Sequence, residues 1–133
     1  ASHEAQKLIN TTREALRIAI LKCRFGNYIA DISQSIQRYA ESQGYNVIRD
    51  LTGHAIGKEL HEDPQIPCFG RCSSGVSLVC GMVLCVEVMY VAGSPELAVS
   101  RDGWTVKTKD GKLSAMLEDM VAVTENGYRI LTR

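Results

Sequence analysis

Met82-Val83-Leu84-Cys85-Val86-Glu87-Val88-Met89-Tyr90-Val91 is the stretch from which the rest of the chain can be read. It is almost wholly apolar and rich in β-branched residues, which predicts a strand buried on both faces. Glu87 is the exception. A carboxylate buried without a partner is expensive, so this one needs a proton, a cation or a metal. Downstream, Asp102-Gly103, Asp110-Gly111 and Asn126-Gly127 are turn dipeptides that separate Trp104–Thr108, Leu113–Thr124 and Tyr128–Leu131. Their spacing predicts consecutive antiparallel hairpins. Alternation along Leu113–Thr124 puts Glu118 on one face with Met116 and Met120, and turns Asp119 to the other.

Upstream of the strand, residues 61–75 hold two of the three prolines among glycines and polar residues, and read as loop. Tyr45–Leu51 reads as a short strand. Thr52-Gly53-His54-Ala55-Ile56-Gly57 reads as a glycine-flanked loop carrying His54. In the first third the period changes. Ala5, Leu8, Ile9, Thr12, Ala15, Leu16, Ala19 and Ile20 repeat at helical spacing up to Leu21. A turn at Arg24-Phe25-Gly26-Asn27 leads to a second helix, with Asp31 as its expected N-cap, Gln34 three residues on, and Gly44 as its stop. The class is α+β: two helices packed on a mainly antiparallel sheet.

The 133 residues carry 15 basic and 15 acidic side chains, and are 45% hydrophobic and 23% charged, which suits one globular domain over 1–133. Zero formal charge argues against nucleic acid or a membrane surface as a partner held by bulk charge. No apolar run approaches a membrane span, and Ala1-Ser2-His3-Glu4 reads as no signal peptide; the absence of a starting methionine suggests a trimmed terminus. Five cysteines, an odd number, point to reduced thiols and a cytoplasmic setting. Cys68 and Cys72 meet zinc spacing only loosely, and Cys85 reads as a small buried hydrophobe.

Glu87 and Glu118 on neighbouring strands, with His54 nearby, compose an oxygen-rich set with one imidazole, which suits zinc, manganese, cobalt or iron(II). The competing reading is two ordinary strand carboxylates paired with Lys or Arg, and a loop histidine.

Here the motifs carry a resemblance. The run from Val47 through Thr52-Gly53-His54-Ala55-Ile56-Gly57 and His61-Glu62-Asp63-Pro64 to Pro67 resembles the type I methionine aminopeptidase signature. So, in the same order, do Gly81–Glu87, Gly103–Gly111 and Leu113–Glu118, as well as the helical pieces Ile32-Ser33 and Tyr39–Ser42. The resemblance implies a creatinase/aminopeptidase-like pita-bread fold, of which this chain is the C-terminal half. It implies His54, Glu87 and Glu118 as metal ligands, Glu118 bridging two metals, and His61 as the histidine that contacts the scissile peptide and its developing charge. A two-metal site of this kind activates a water and polarises the peptide carbonyl during removal of an N-terminal methionine.

The family's domain is about twice as long, and two aspartate ligands lie on an upstream hairpin that has no match here. The resemblance therefore implies a divalent metal (Co, Mn, Fe or Zn) held weakly, and little or no activity from this chain by itself. Phe25 and Cys80 stand where the family has proline, Val88 replaces a proline after Glu87, and Asp119 replaces a histidine and adds a carboxylate beside Glu118. An exposed sheet face would call for a homodimer or a partner half. The alternative is a non-catalytic half-domain, relic or engineered, that self-associates or binds peptide or protein.

Overall fold

The computed structural model describes residues 1–133. Helix α1 spans His3–Leu21 and helix α2 Ile29–Ser42. Ser2 caps α1 by accepting from the Ala5 amide at 3.1 Å. The buried stripe of α1 is Leu8, Thr11, Thr12, Ala15, Leu16, Ala19 and Ile20, close to the sequence expectation. Thr12 is accommodated there because its hydroxyl donates to the Leu8 carbonyl at 2.8 Å. At α2 the expected N-cap is three residues too late. Tyr28 is the N-cap, and Asp31 lies inside the first turn. Its carboxylate reaches back to accept from the Tyr28 amide, and also from the Ser73 amide, each at 2.7 Å.

Eight strands follow: β1 Asn46–Val47, β2 Thr52–Ala55, β3 Glu62–Pro67, β4 Val83–Val91, β5 Leu97–Val99, β6 Val106–Thr108, β7 Ser114–Thr124 and β8 Gly127–Ile130. The main sheet runs β3-β2-β4-β7-β8, with β1 also paired to β4, and β5-β6 form a separate ribbon. Every pairing is antiparallel. The pairing of β4 with β7 matches Val83 to Ala122 and continues rung by rung to Val91 with Ser114.

Both helices lie on one face of this sheet. The Tyr90 hydroxyl donates to the Ile36 carbonyl of α2 at 2.5 Å, so Leu84, Val86, Val88 and Tyr90 all point towards the helices by alternation. These four are fully buried, with Val121 of β7 and Ile32 and Ile36 of α2. The opposite face presents Cys85 and Glu87 of β4, and Met116, Glu118 and Met120 of β7.

Several expectations are corrected. Tyr45–Leu51 shrinks to β1 because β1 and β2 share one edge of β4, at Tyr90–Val91 and at Leu84–Cys85, and the chain detours between them. His54 is therefore on a strand. Glu62–Pro67 is a strand despite its prolines, because β3 is an edge strand where a missing amide can face outward. Asp110-Gly111 makes no hairpin, since β6 pairs with β5 rather than with β7. Asp119 points to the helix side, as alternation along β7 predicts, so the carboxylate it adds does not share the face of Glu118. No helix is long and apolar enough to cross a membrane.

Gly53 is where the sheet is tightest. A Cβ there would come within 2.5 Å of the Cys85 carbonyl oxygen and 3.2 Å of the Glu87 amide. Gly53→Ala is thus expected to push β2 from β4 and lower stability by about 1–3 kcal/mol. Met116→Ala on the open face should stay within about 0.5 kcal/mol of the parent in urea unfolding. Equal losses for the two would contradict this packing.

Candidate functional site

The close approach at Gly53 lays the next residue of β2, His54, directly across from Cys85 of β4. A register shift between His54 and Ala55 bends the strand there, as bulges do when they re-aim a side chain. His54 Nδ1 is 3.0 Å from the Ala55 carbonyl oxygen. That oxygen can only accept, so this contact as a hydrogen bond places a proton on Nδ1. Nε2 then faces Glu87, 3.5 Å from Oε2, with both side chains only 12% exposed. Two electron-pair donors this close need something positive between them, either a second proton on Nε2 or a cation.

Glu118 is the cross-strand neighbour of Glu87 on the same face. It is exposed, unlike the buried strand carboxylate that its apolar neighbours suggest. His61 precedes β3 at the end of the loop that leaves β2, and its ring lies 4.3 Å from that of His54, tilted by 56°. These four side chains, with Cys85, Leu60, Met120 and Thr132, line a cavity of about 270 Å³. The structure thus brings together all four residues singled out from sequence. It also adds residues that were missed, among them Cys85 as a cavity residue, Ile56, Leu60 and Thr132. For Cys85 the signal was available: two positions before Glu87 on a strand is the same face.

Burial raises the Glu87 carboxyl above the ordinary carboxylate value; the charge of Glu118 adds to this, and His54 opposes it. Burial, then Glu118 and Glu87, likewise push the Cys85 thiol up. On the helix side, burial alone would raise the Asp119 carboxyl, but Arg133 and Thr132 outweigh it and hold it below its usual value. Thr132 donates to Asp119 at 2.6 Å, and Arg133 makes two contacts of 3.1 and 2.6 Å.

The donor chemistry suits a divalent cation, and the His54–Glu87 pair is spaced as two ligands of one ion would be. No group of three His, Cys, Asp or Glu side chains closes on a single point, however. The set is an open half-site.

Residues 1–125 match the model of metallopeptidase family M24. This chain belongs to that family. It is 49% identical over 131 residues to a methionine aminopeptidase of Clostridium perfringens, covering 98% of this chain and 53% of the relative. Against the methionine aminopeptidase of Escherichia coli the identity is 39%, over 96% of this chain and 48% of the relative. The crystal structure of the Thermotoga maritima methionine aminopeptidase superposes with a TM-score of 0.97 at 44% identity, covering all of this chain and 53% of that one. A prolidase from Pyrococcus furiosus shares the fold, with a TM-score of 0.74 at 21% identity. The M24 chain described here spans about half the length of the curated relatives it matches. Its architecture is that of half a pita-bread fold.

Glu87 and Asp119 of this M24 half predict opposite pH dependences. The native state holds its proton on Glu87 more tightly than the unfolded state does, so stability falls as pH rises from the ordinary carboxylate value through the raised one. Glu87→Gln is expected to flatten that fall and to stabilise the metal-free chain at neutral pH. Asp119 contributes stability above its ordinary value that is lost as pH drops through its lowered one. Asp119→Asn should cost about 1–2 kcal/mol at neutral pH and little in acid. Denaturant titrations across the acid range distinguish the two profiles; parallel profiles for both variants would refute the assignment.

Proposed function

We propose that this chain carries the second-half ligand set of a methionine aminopeptidase, with His54, Glu87 and Glu118 holding a divalent metal and His61 contacting the substrate. The observation that supports this most is the convergence of His54 Nε2 and Glu87 Oε2 at 3.5 Å in a largely buried wall, beside a second carboxylate. The cation could be cobalt, manganese, iron(II) or zinc, and in such enzymes it lowers the pKa of a bound water and polarises the scissile carbonyl.

The chain's own residues do the rest. The Ala55 carbonyl fixes the His54 tautomer so that Nε2 keeps its lone pair towards the cavity. Glu87 supplies charge from the same wall, and Glu118 reaches the cavity from the next strand. His61, exposed and stacked at an angle on His54, is free to donate a hydrogen bond to the carbonyl oxygen of an N-terminal methionyl peptide as charge builds there. Leu60 beside it offers an apolar contact to the substrate.

Because the donors within these 133 residues form an open half-site, they hold metal weakly and hydrolyse methionyl peptides little or not at all by themselves. Further oxygen ligands then come from a second copy of this chain or from a partner half, seated on the open face where Leu60 and Met116 are at least half-exposed. A single domain with five free thiols accords with a reducing, cytoplasmic setting.

Cobalt(II) titration tests the reading. A weak visible ligand-field band is expected, lost in His54→Ala and Glu87→Gln, reduced in Glu118→Ala and kept in His61→Ala. Absence of any band, with a thermal transition unmoved by cobalt or manganese, would contradict it and favour a non-catalytic half-domain.

A further inference from the structure

We propose that the groove between α1, α2 and the turn at Cys72-Ser73 is a binding site for a small organic phosphate. It does not depend on the metal reading above. The groove shares no lining residue with the cavity of His54 and Glu87.

Helical spacing builds the walls. Asp31, Gln34, Arg38 and Ser42 recur three or four residues apart and so share one flank of α2, with Tyr39 beside them. Ile18 of α1 and Lys22, its C-cap, stand four apart and line the other side. The groove measures about 500 Å³, inside the range of about 300–1,000 Å³ that small-molecule sites occupy. From Asp31 to Arg38 it runs about 10 Å along the helix. Ser73, at φ 55°, is the one non-glycine residue in the left-handed region, and its amide is held by Asp31 at 2.7 Å. That bond makes the turn a fixed edge of the groove.

Most of the polar lining is already engaged, and what is left over is positive. Asn27 donates to the Lys22 carbonyl at 2.9 Å, while Ser35 and Ser42 donate to the carbonyls of Ile32 and Tyr39, both at 2.7 Å. Asp31 is the only carboxylate of the lining. It spends one oxygen on the Tyr28 amide and the other on the Ser73 amide. The Lys22 ammonium and the Arg38 guanidinium take part in none of the chain's ion pairs. Two unpaired cations around an answered carboxylate attract an anion. A guanidinium offers paired N–H donors that match phosphate oxygens, and Lys22 supplies a second charge. Half-buried Ile18 and Tyr39 give an apolar strip against which the organic part of such a molecule can lie.

The full chain, nitrogen-labelled and free of divalent metal, is titrated at fixed ionic strength with inorganic phosphate, adenosine monophosphate and adenosine while amide NMR shifts are followed. Saturable shifts are expected at Gln34, Arg38, Tyr39 and Ser73 with both phosphates, tighter with the nucleotide. Adenosine should move none of them, and the amides of His54 and Glu87 should stay in place throughout. Lys22→Gln and Arg38→Gln each remove one charge-assisted contact from an exposed side chain, and each should weaken nucleotide binding about tenfold. Arg13→Gln, an exposed change elsewhere on α1, should leave it unaltered. Phosphate that moves no groove amide, shifts that fail to saturate or map elsewhere, or binding that survives the double variant Lys22→Gln, Arg38→Gln overturns the site. Adenosine that binds as tightly as its monophosphate makes the groove an apolar pocket and overturns the phosphate.

Discussion

The antiparallel register that joins β2, β4 and β7 is the constraint on which everything else in this half-domain depends. Because β4 pairs with β7 without a bulge from Val83 to Val91, Glu87 meets Glu118 and Cys85 meets Met120. Because Gly53 has no side chain, β2 closes on the other edge of β4 and brings His54 opposite Cys85. A slip of one residue in either pairing would turn the polar set into the helix-packed core and expose Leu84, Val86 and Val88. The burial of those residues against α2 therefore fixes the site as firmly as it fixes the fold.

The same sheet separates two kinds of carboxylate. On the helix side Asp119 is buried but answered, by Thr132 and by the Arg133 guanidinium, and it holds its charge. On the open side Glu87 has one imidazole for company and a second carboxylate as its neighbour, and its charge is resisted. A group left in that condition in an apolar strand is a weakness for the fold taken by itself, and it is the condition that the proposed metal site would relieve.

Much of this was legible from sequence because the decisive elements are long and strongly periodic. The stripe of α1, the apolar run of β4 and the alternation of β7 each declare their face. The errors fall where a neighbour decides. Tyr45–Leu51 reads as one strand, yet an edge of β4 already shared with β2 leaves room for two residues of pairing. Pro64 and Pro67 read as loop until β3 is seen to lie at an edge. Asp31 has the chemistry of an N-cap but serves from inside the first turn. His54, Glu87 and Glu118 stand out from residue chemistry and pattern, His61 only from motif resemblance, and their convergence on one cavity is a matter of tertiary register that no local pattern encodes. Exposure of Glu118 was equally hidden, since its apolar neighbours alternate onto both faces.

The central claim is that His54 Nε2 offers a lone pair to a cation shared with Glu87, while Nδ1 keeps its proton on the Ala55 carbonyl. Long-range proton–nitrogen correlation NMR of the labelled imidazole, recorded with and without zinc, tests this directly. The account predicts that zinc shifts Nε2 to the range of a metal-bound nitrogen and leaves Nδ1 as the protonated one. An imidazole whose two nitrogens do not respond to zinc, or that remains doubly protonated in its presence, would contradict it.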